Sequence, residues 1–216
     1  MSNSVADKRF AKKRFAVLDR NEKIGNTSLN WNRFRAKNLH VSIRKDKRTR
    51  SIDVVLDGGF IDGDLIINGL DQKIRSVRII NCQVSGKISI YSVKAKEITI
   101  ISNCFGIDLV DSDINALHIC SQVSSKINLV KLNCLKVELN GHSEIVDLKR
   151  VCAERLTIDS FETNFIAGNN LNIKKIKVFT DSRLDLKRLT SNKIYFYRRG
   201  SQPGIIHGLK NARLKI

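Results

Sequence analysis

The sequence predicts an all-β chain: a single-stranded parallel β-solenoid (β-helix) with about 20 residues per coil. Two observations carry this. Apolar-x-apolar pairs recur in two interleaved series, Leu65/Ile67, Ile88/Ile90, Ile107/Leu109, Ile127/Leu129, Val146/Leu148, Phe165/Ala167, Leu184/Leu186, and Val77/Ile79, Ile98/Ile100, Leu117/Ile119, Val137/Leu139, Leu156/Ile158, Ile176/Val178, Ile194/Phe196. Each series repeats every 18 to 23 residues, and the two lie about ten residues apart. The segments between pairs are too short for a crossover helix and carry turn signals such as Asn68-Gly69, Asn140-Gly141 and Gly168-Asn169-Asn170.

A pair with period 2 is a short strand with one face inward. A meander of hairpins, as in an ordinary sandwich or barrel, would also give short strands without helices. A sustained superperiod fits a solenoid better, because equivalent residues then stack from coil to coil at the interstrand spacing of about 4.8 Å. About seven coils would make a rod on the order of 35 Å long.

Taken in chain order, residues 1–38 lack the period and read as a basic N-terminal arm with a possible short helix around Phe10 to Leu18. Alternation begins at Leu39-His40-Val41-Ser42-Ile43 and resumes at Ile52-Asp53-Val54-Val55-Leu56, so the solenoid is expected over 39–197. Between these strands, the basic run Arg44, Lys45, Lys47, Arg48 and Arg50 reads as a loop. After Tyr197 the period fades, leaving 198–216 as a basic tail. Asn81-Cys82, Asn103-Cys104 and Asn133-Cys134 read as turns in which stacked asparagines bond one another and the cysteine fills a corner.

Composition narrows the function classes. At 42% hydrophobic residues the chain can bury a core. No apolar run reaches the length of a membrane-spanning helix, and the N-terminal stretch has no apolar leader segment, so a cytoplasmic protein is expected. The net charge of +18 favours polyanionic partners. It is uneven: residues 1–50 hold 15 Lys and Arg against 4 Asp and Glu, residues 51–150 hold 11 against 12, and residues 151–216 hold 13 against 5. The reading is a neutral module between basic flanks, although flanks of this kind can serve solubility alone.

Five cysteines without C-x-x-C spacing, and four histidines that do not cluster with them, do not form zinc spacing. Most of the cysteines are expected to act as small buried hydrophobes. The outward carboxylates Asp108, Asp147 and Asp185 fall on alternate coils, too far apart to share a small ion or to act as an acid/base pair. His118-x-Cys120 is the nearest thing to a nucleophilic pair, and no motif for catalysis or phosphate cradling accompanies it. A non-enzymatic protein without cofactor or metal is therefore expected.

The most specific functional signal is the residue preceding each pair of the second series. Lys136, Arg155, Lys175 and Lys193 put a cation there on four consecutive coils, with Lys177 beside Lys175 and with Arg198 and Arg199 just beyond. Stacked like charges repel, so such a ladder is either tolerated through solvation or stabilised by a bound polyanion. Together with Arg44, Lys45, Lys47, Arg48 and Arg50 these residues form the predicted polyanion-binding set. Trp31 to Arg35 and Tyr195 to Arg199 place rings beside cations, which suits base stacking or a membrane interface, although Phe34 and Phe196 also read as core or cap residues.

The middle of the chain, over roughly 52–130, resembles a bactofilin. The resembling units are Gly63-Asp64-Leu65-Ile66-Ile67-Asn68, Gly86-Lys87-Ile88-Ser89-Ile90 and Val93-Lys94-Ala95-Lys96-Glu97-Ile98-Thr99-Ile100. The resemblance implies a short β-helix that polymerises end to end without nucleotide and carries tails able to touch membranes. The chain departs from that pattern in its few repeat glycines after Gly106, its longer coil and its larger basic excess. The expected function is a self-associating scaffold whose basic flanks dock on a polyanion, or alternatively a sequence-independent nucleic-acid-binding protein using the ladder. The expected partners are further copies of the chain, then nucleic acid, with an anionic membrane surface ranked below them.

Overall fold

The structure is a computed structural model, and it describes residues 19–24, 29–43, 52–69, 73–160, 165–180, 183–198, 204–207 and 213–215. Among the described residues every regular element is a strand, and the strands pair in parallel. One β-solenoid of about seven turns results, as the superperiod predicts.

The longest run, β9 (Lys94–Ser160), has 67 residues of continuous strand pairing. Laid straight it would measure about 220 Å at ~3.3 Å per residue. It instead winds through successive coils, flanked by β8 (Lys73–Tyr91) and β10 (Phe165–Thr180), both of which pair with it. The sheet then continues through β11 (Arg183–Thr190) and β12 (Lys193–Arg198), each paired with β10.

Register defines the coil. Leu39 pairs with Leu65, Leu65 with Ile88 and Ile88 with Ile107; further on, Val146 pairs with Ile166, Ile166 with Leu184 and Leu184 with Gly204. The two coils that follow Leu39 therefore take 26 and 23 residues, and the later ones 18 to 20. The longer early coils contain glycines where backbone meets backbone. A Cβ on Gly63, at φ +127°, would lie 2.6 Å from the carbonyl oxygen of Lys37, and one on Gly86 would lie 2.7 Å from that of Gly63.

The second apolar series stacks as expected: Val77 on Ile98, Leu156 on Ile176 and Ile176 on Ile194, all buried. The first series holds with one correction. Ile166 and Gly168, not Phe165 and Ala167, are the inward residues of that coil, in register with Val146 and Leu148. The reason is space: a Cβ on Gly168 would lie 2.6 Å from both Leu171 Cδ1 and Leu186 Cδ2, so leucines from neighbouring positions fill the site.

A third inward pair completes each later coil, in Leu132/Cys134, Val151/Ala153 and Leu171/Ile173. It begins just after a corner at which one non-glycine residue per coil adopts positive φ: Ser92, Asp111, Lys131, Arg150, Asn170 and Arg188, all between 50° and 56°. This left-handed residue turns the chain without breaking the ladder.

The asparagines work across coils, but not with each other. Asn81 Nδ2 donates to Asp57 Oδ1 at 3.1 Å, and Asn133 Nδ2 donates to Asp113 Oδ1 at 2.8 Å. An aspartate is the better partner because it only accepts, so it takes the amide proton without competition. Of the cysteines, Cys82, Cys104 and Cys134 are buried, Cys120 is half-buried and Cys152 is exposed.

Strand pairing reaches further at both ends than 39–197. β1 (Asp19–Ile24) pairs with β4 (Asn38–Ile43), and β2 (Leu29–Asn32) pairs with β5 (Ile52–Asp57), so part of the expected arm is strand. At the other end, β13 (Gly204–His207) pairs with β11, and β14 (Arg213–Lys215) with β12, inside the expected tail. β1 and β14 are charged and short, and backbone pairing continues the ladder there, whereas β2 alternates, with Leu29 and Trp31 buried. The expected helix near Phe10 to Leu18 and the run Arg44 to Arg50 lie outside the described residues.

Candidate functional site

The strand β10 carries Lys175, Lys177 and Phe179 outward between buried Ile176 and Val178. Its neighbour β12 carries Lys193, Tyr195 and Tyr197 in register with them. On the preceding coil Arg155, Thr157 and Asp159 occupy the same three positions. Nine outward positions on three coils thus present four cations, three rings, one threonine and a single carboxylate, Asp159. At ~3.3 Å per residue along a strand and ~4.8 Å between strands, this face measures about 13 by 10 Å.

Arg155, Lys175 and Lys193 stand in one column, at consecutive rungs. Lys177 stands in a neighbouring column, between Thr157 and Tyr195. Arg213 follows Lys193 in register; the sequence reading missed it because the coil before it departs from the apolar repeat. Lys136 differs from the others. Its Nζ lies 2.8 Å from Glu138 Oε1, and that carboxylate also lies 3.6 Å from His118 Nδ1 through its other oxygen. The unpaired part of the ladder therefore begins at Arg155. Arg198 is placed by its backbone, in register with Thr180, whereas Arg199, Arg44, Lys45, Lys47, Arg48 and Arg50 lie outside the described residues.

Among the described residues, Arg155, Lys175, Lys177 and Lys193 make no ion pair with a carboxylate. The face bearing the first series is arranged oppositely. Asp108 lies 3.7 Å from Lys87, Asp185 lies 3.5 Å from Lys187, and Asp147 lies 2.8 Å from Lys149 and 3.5 Å from Lys126. Each carboxylate weighed as a candidate ligand is thus occupied by ammonium, and among the described residues no cluster suited to a metal ion occurs.

The rings are fixed by the same stacking. Tyr197 lies on Phe179 with centroids 4.5 Å apart and planes 6° from parallel, and Tyr197 keeps 45% of its surface exposed. Lys175 Nζ sits 5.3 Å from the Tyr195 ring centroid, within cation–π range. The N-terminal aromatic cluster behaves otherwise. Trp31 is buried and meets Phe34 edge-on at 5.4 Å, and Phe34 packs against the core; Arg35 lies 4.9 Å over the Phe60 ring.

Beside the ladder runs an open groove of about 720 Å³. Its floor includes the small residues Ala95, Cys134 and Ala153, and its rim includes Lys96, Leu135 and Glu154. The Cys134 thiol is pushed up to about 11 by burial, and it donates to the Lys136 carbonyl, so it stays protonated and is a poor nucleophile at neutral pH. Glu154 is ion-paired with Lys174.

Among the described residues no helix is long and apolar enough to cross a membrane. No known protein family, curated protein or solved structure matches the chain.

Proposed function

We propose that this protein is a non-enzymatic β-solenoid whose C-terminal coils dock on a linear polyanion. The observation that carries the reading is the in-register column Arg155, Lys175 and Lys193, with Lys177 beside it, bearing no neutralising carboxylate among the described residues. By contrast, Lys87, Lys126, Lys136, Lys149 and Lys187 are each paired with a carboxylate. A row of cations repeating every ~4.8 Å along the rod suits a ligand whose negative charges are also in a row.

Equilibrium titration with a labelled oligonucleotide across salt concentrations tests this. Each phosphate neutralised contributes about 0.7 to 0.9 to the log–log salt slope. Replacing Arg155, Lys175, Lys177 and Lys193 with Gln should flatten the slope by about 3. Replacing the paired Lys126 and Lys149 with Gln should leave it nearly unchanged. Equal flattening by both sets, or none by the first, would overturn the reading.

A second reading, the bactofilin-like self-associating scaffold, is favoured by β1 and β13. They are the outermost members of the main sheet path, each paired on one edge among the described residues. An unpaired edge is a template for another chain. Sedimentation at rising concentration tests it: a monomer throughout would refute it.

A further inference from the structure

We infer that the polyanion is single-stranded nucleic acid, and that the exposed ring of Tyr197, together with the half-buried ring of Tyr195, receives its bases. The inference rests on the polyanion reading and narrows it. A polyphosphate, a duplex or an acidic lipid surface requires only cations. What distinguishes this face is that two of its outward columns change from polar residues to rings on the coils where the cations lie. One column reads Thr157, Lys177, Tyr195 and the next Asp159, Phe179, Tyr197.

The geometry suits a base. Tyr197 is held on one side by Phe179 at 4.5 Å and 6°, so the ring is already oriented, yet 45% of the residue remains open. Stacking a base on a fixed ring orders little that was free before. Lys175 Nζ lies 5.3 Å from the Tyr195 centroid, which keeps an ammonium within reach of the phosphate attached to a base stacked nearby. Lys193 precedes Tyr195 by two residues on the same strand face, so cation, ring and ring alternate outward along β12. A strand that lays its backbone along the Arg155–Lys175–Lys193 column can turn its bases across the rings. A duplex cannot, because its bases are stacked on one another. Stacking of this kind is tolerant of sequence, since every base has a π-face.

The test uses the full chain, a labelled oligothymidine, a duplex of equal length, inorganic polyphosphate and vesicles containing phosphatidylserine. The expected result is tighter binding of the single strand than of the duplex. Tyr197→Ala and Tyr195→Ala should each weaken single-strand binding by about 5- to 100-fold, with polyphosphate affinity changed by less than about twofold. Tyr197→Phe should retain binding, since it keeps the ring and its packing on Phe179. Equal affinity for duplex and single strand would overturn the inference while leaving the polyanion reading standing. So would equal loss of single-strand and polyphosphate binding in Tyr197→Ala. Binding to the vesicles but to neither oligonucleotide would overturn it in favour of a membrane surface. Failure of the parent to bind any of the four probes would overturn the polyanion reading with it.

Discussion

Gly141→Ala should be among the most damaging single-methyl additions in the chain. Gly141 sits at φ +105°, well beyond the left-handed well that side-chain-bearing residues can tolerate. A Cβ there would lie 3.0 Å from the carbonyl carbon of Ser121 and 3.3 Å from its nitrogen, and closer still to its carbonyl oxygen. Carbon pairs prefer about 3.5 to 4.0 Å, so the coil below would have to move by about half an ångström or more. The obstacle is main chain, and Ser121 is itself fully buried, so no side-chain rotation relieves it. Backbone strain of about 1 to 3 kcal/mol adds to overpacking of about 1 to 3 kcal/mol. The expected loss is about 2 to 6 kcal/mol, a large part of the ~5 to 15 kcal/mol that stabilises a typical domain.

Gly106→Ala is the control. Its Cβ would meet the Lys126 carbonyl oxygen at 3.2 Å and otherwise only the Lys87 side chain, and Gly106 does not have positive φ. Its stability should stay within about 0.5 kcal/mol of the parent, because restricting the unfolded chain offsets the tight contact. Urea unfolding followed by circular dichroism measures both. Hydrogen exchange should place the Gly141→Ala damage in the coils holding residues 121 and 141, because each coil contacts only its neighbours. A loss below about 1 kcal/mol for Gly141→Ala, or equal losses for the two variants, would refute the stacking register around Ser121.

Two further outcomes follow from titrating groups. Asp53 is held below the ordinary aspartate value of 3.8, first by its hydrogen bonds from the Arg75 guanidinium, which outweigh the opposing effect of burial. A depressed folded value means that the ionised pair's contribution is fully present above pH 3.8 and is lost as pH falls through the lower folded value. Asp53→Asn should therefore flatten the fall in stability below pH 3.8 and leave its pH dependence above pH 5 unchanged; an unaltered acid limb would refute the pairing. Burial pushes the Cys104 thiol up to about 12 and the Cys134 thiol up to about 11, whereas Cys152 is exposed, so an aromatic disulfide reagent at pH 8 should label Cys152 in the native state and reach Cys104 only on unfolding. Fast native labelling of Cys104, identified by peptide mapping, would contradict its place in the core.

The solenoid was legible because stacking imposes one period on every inward position, and apolar pairs such as Ile98/Ile100 and Leu156/Ile158 report it directly. The corner was not legible. Its left-handed residues are Ser, Asp, Lys, Arg, Asn and Arg, which share a backbone conformation and no side-chain type. The third inward face was obscured by Cys134 and Ala153, too small to stand out as apolar pairs, although they recur at the same period. The Phe165/Ala167 register was misjudged because a phenylalanine beside an alanine reads as an inward pair, while the glycine that makes room for Leu171 and Leu186 carries no hydrophobic signal. At the candidate site the column positions of Arg155, Lys175 and Lys193 followed from the period alone. The pairing of Lys136 with Glu138 did not, because whether neighbours two residues apart on a strand face join or splay depends on the side-chain rotamers.

The contrast between the two charged faces bears on why the ladder exists. Two unit charges ~4.8 Å apart repel by about 0.9 kcal/mol in water, and physiological salt with its ~8 Å screening length removes nearly half of that. Two such contacts along Arg155, Lys175 and Lys193 cost about 1 to 2 kcal/mol at most, and long side chains lower it by spreading apart. That burden is tolerable against ~5 to 15 kcal/mol of domain stability, but folding gains nothing from it. The fold itself supplies the remedy elsewhere: Asp147 neutralises two lysines from adjacent coils, and Asp108 and Asp185 neutralise one each. A glutamate at the position of Thr157 would do the same for the ladder, standing between Arg155 on its own strand and Lys177 on the next coil, as Glu138 does for Lys136. The C-terminal coils carry Thr157, Lys177 and Tyr195 in that column instead. On the proposed reading, repulsion left uncancelled in the free protein would be relieved when an external anion takes the carboxylate's place, so the missing neutralisation would become binding energy and tie the affinity to salt.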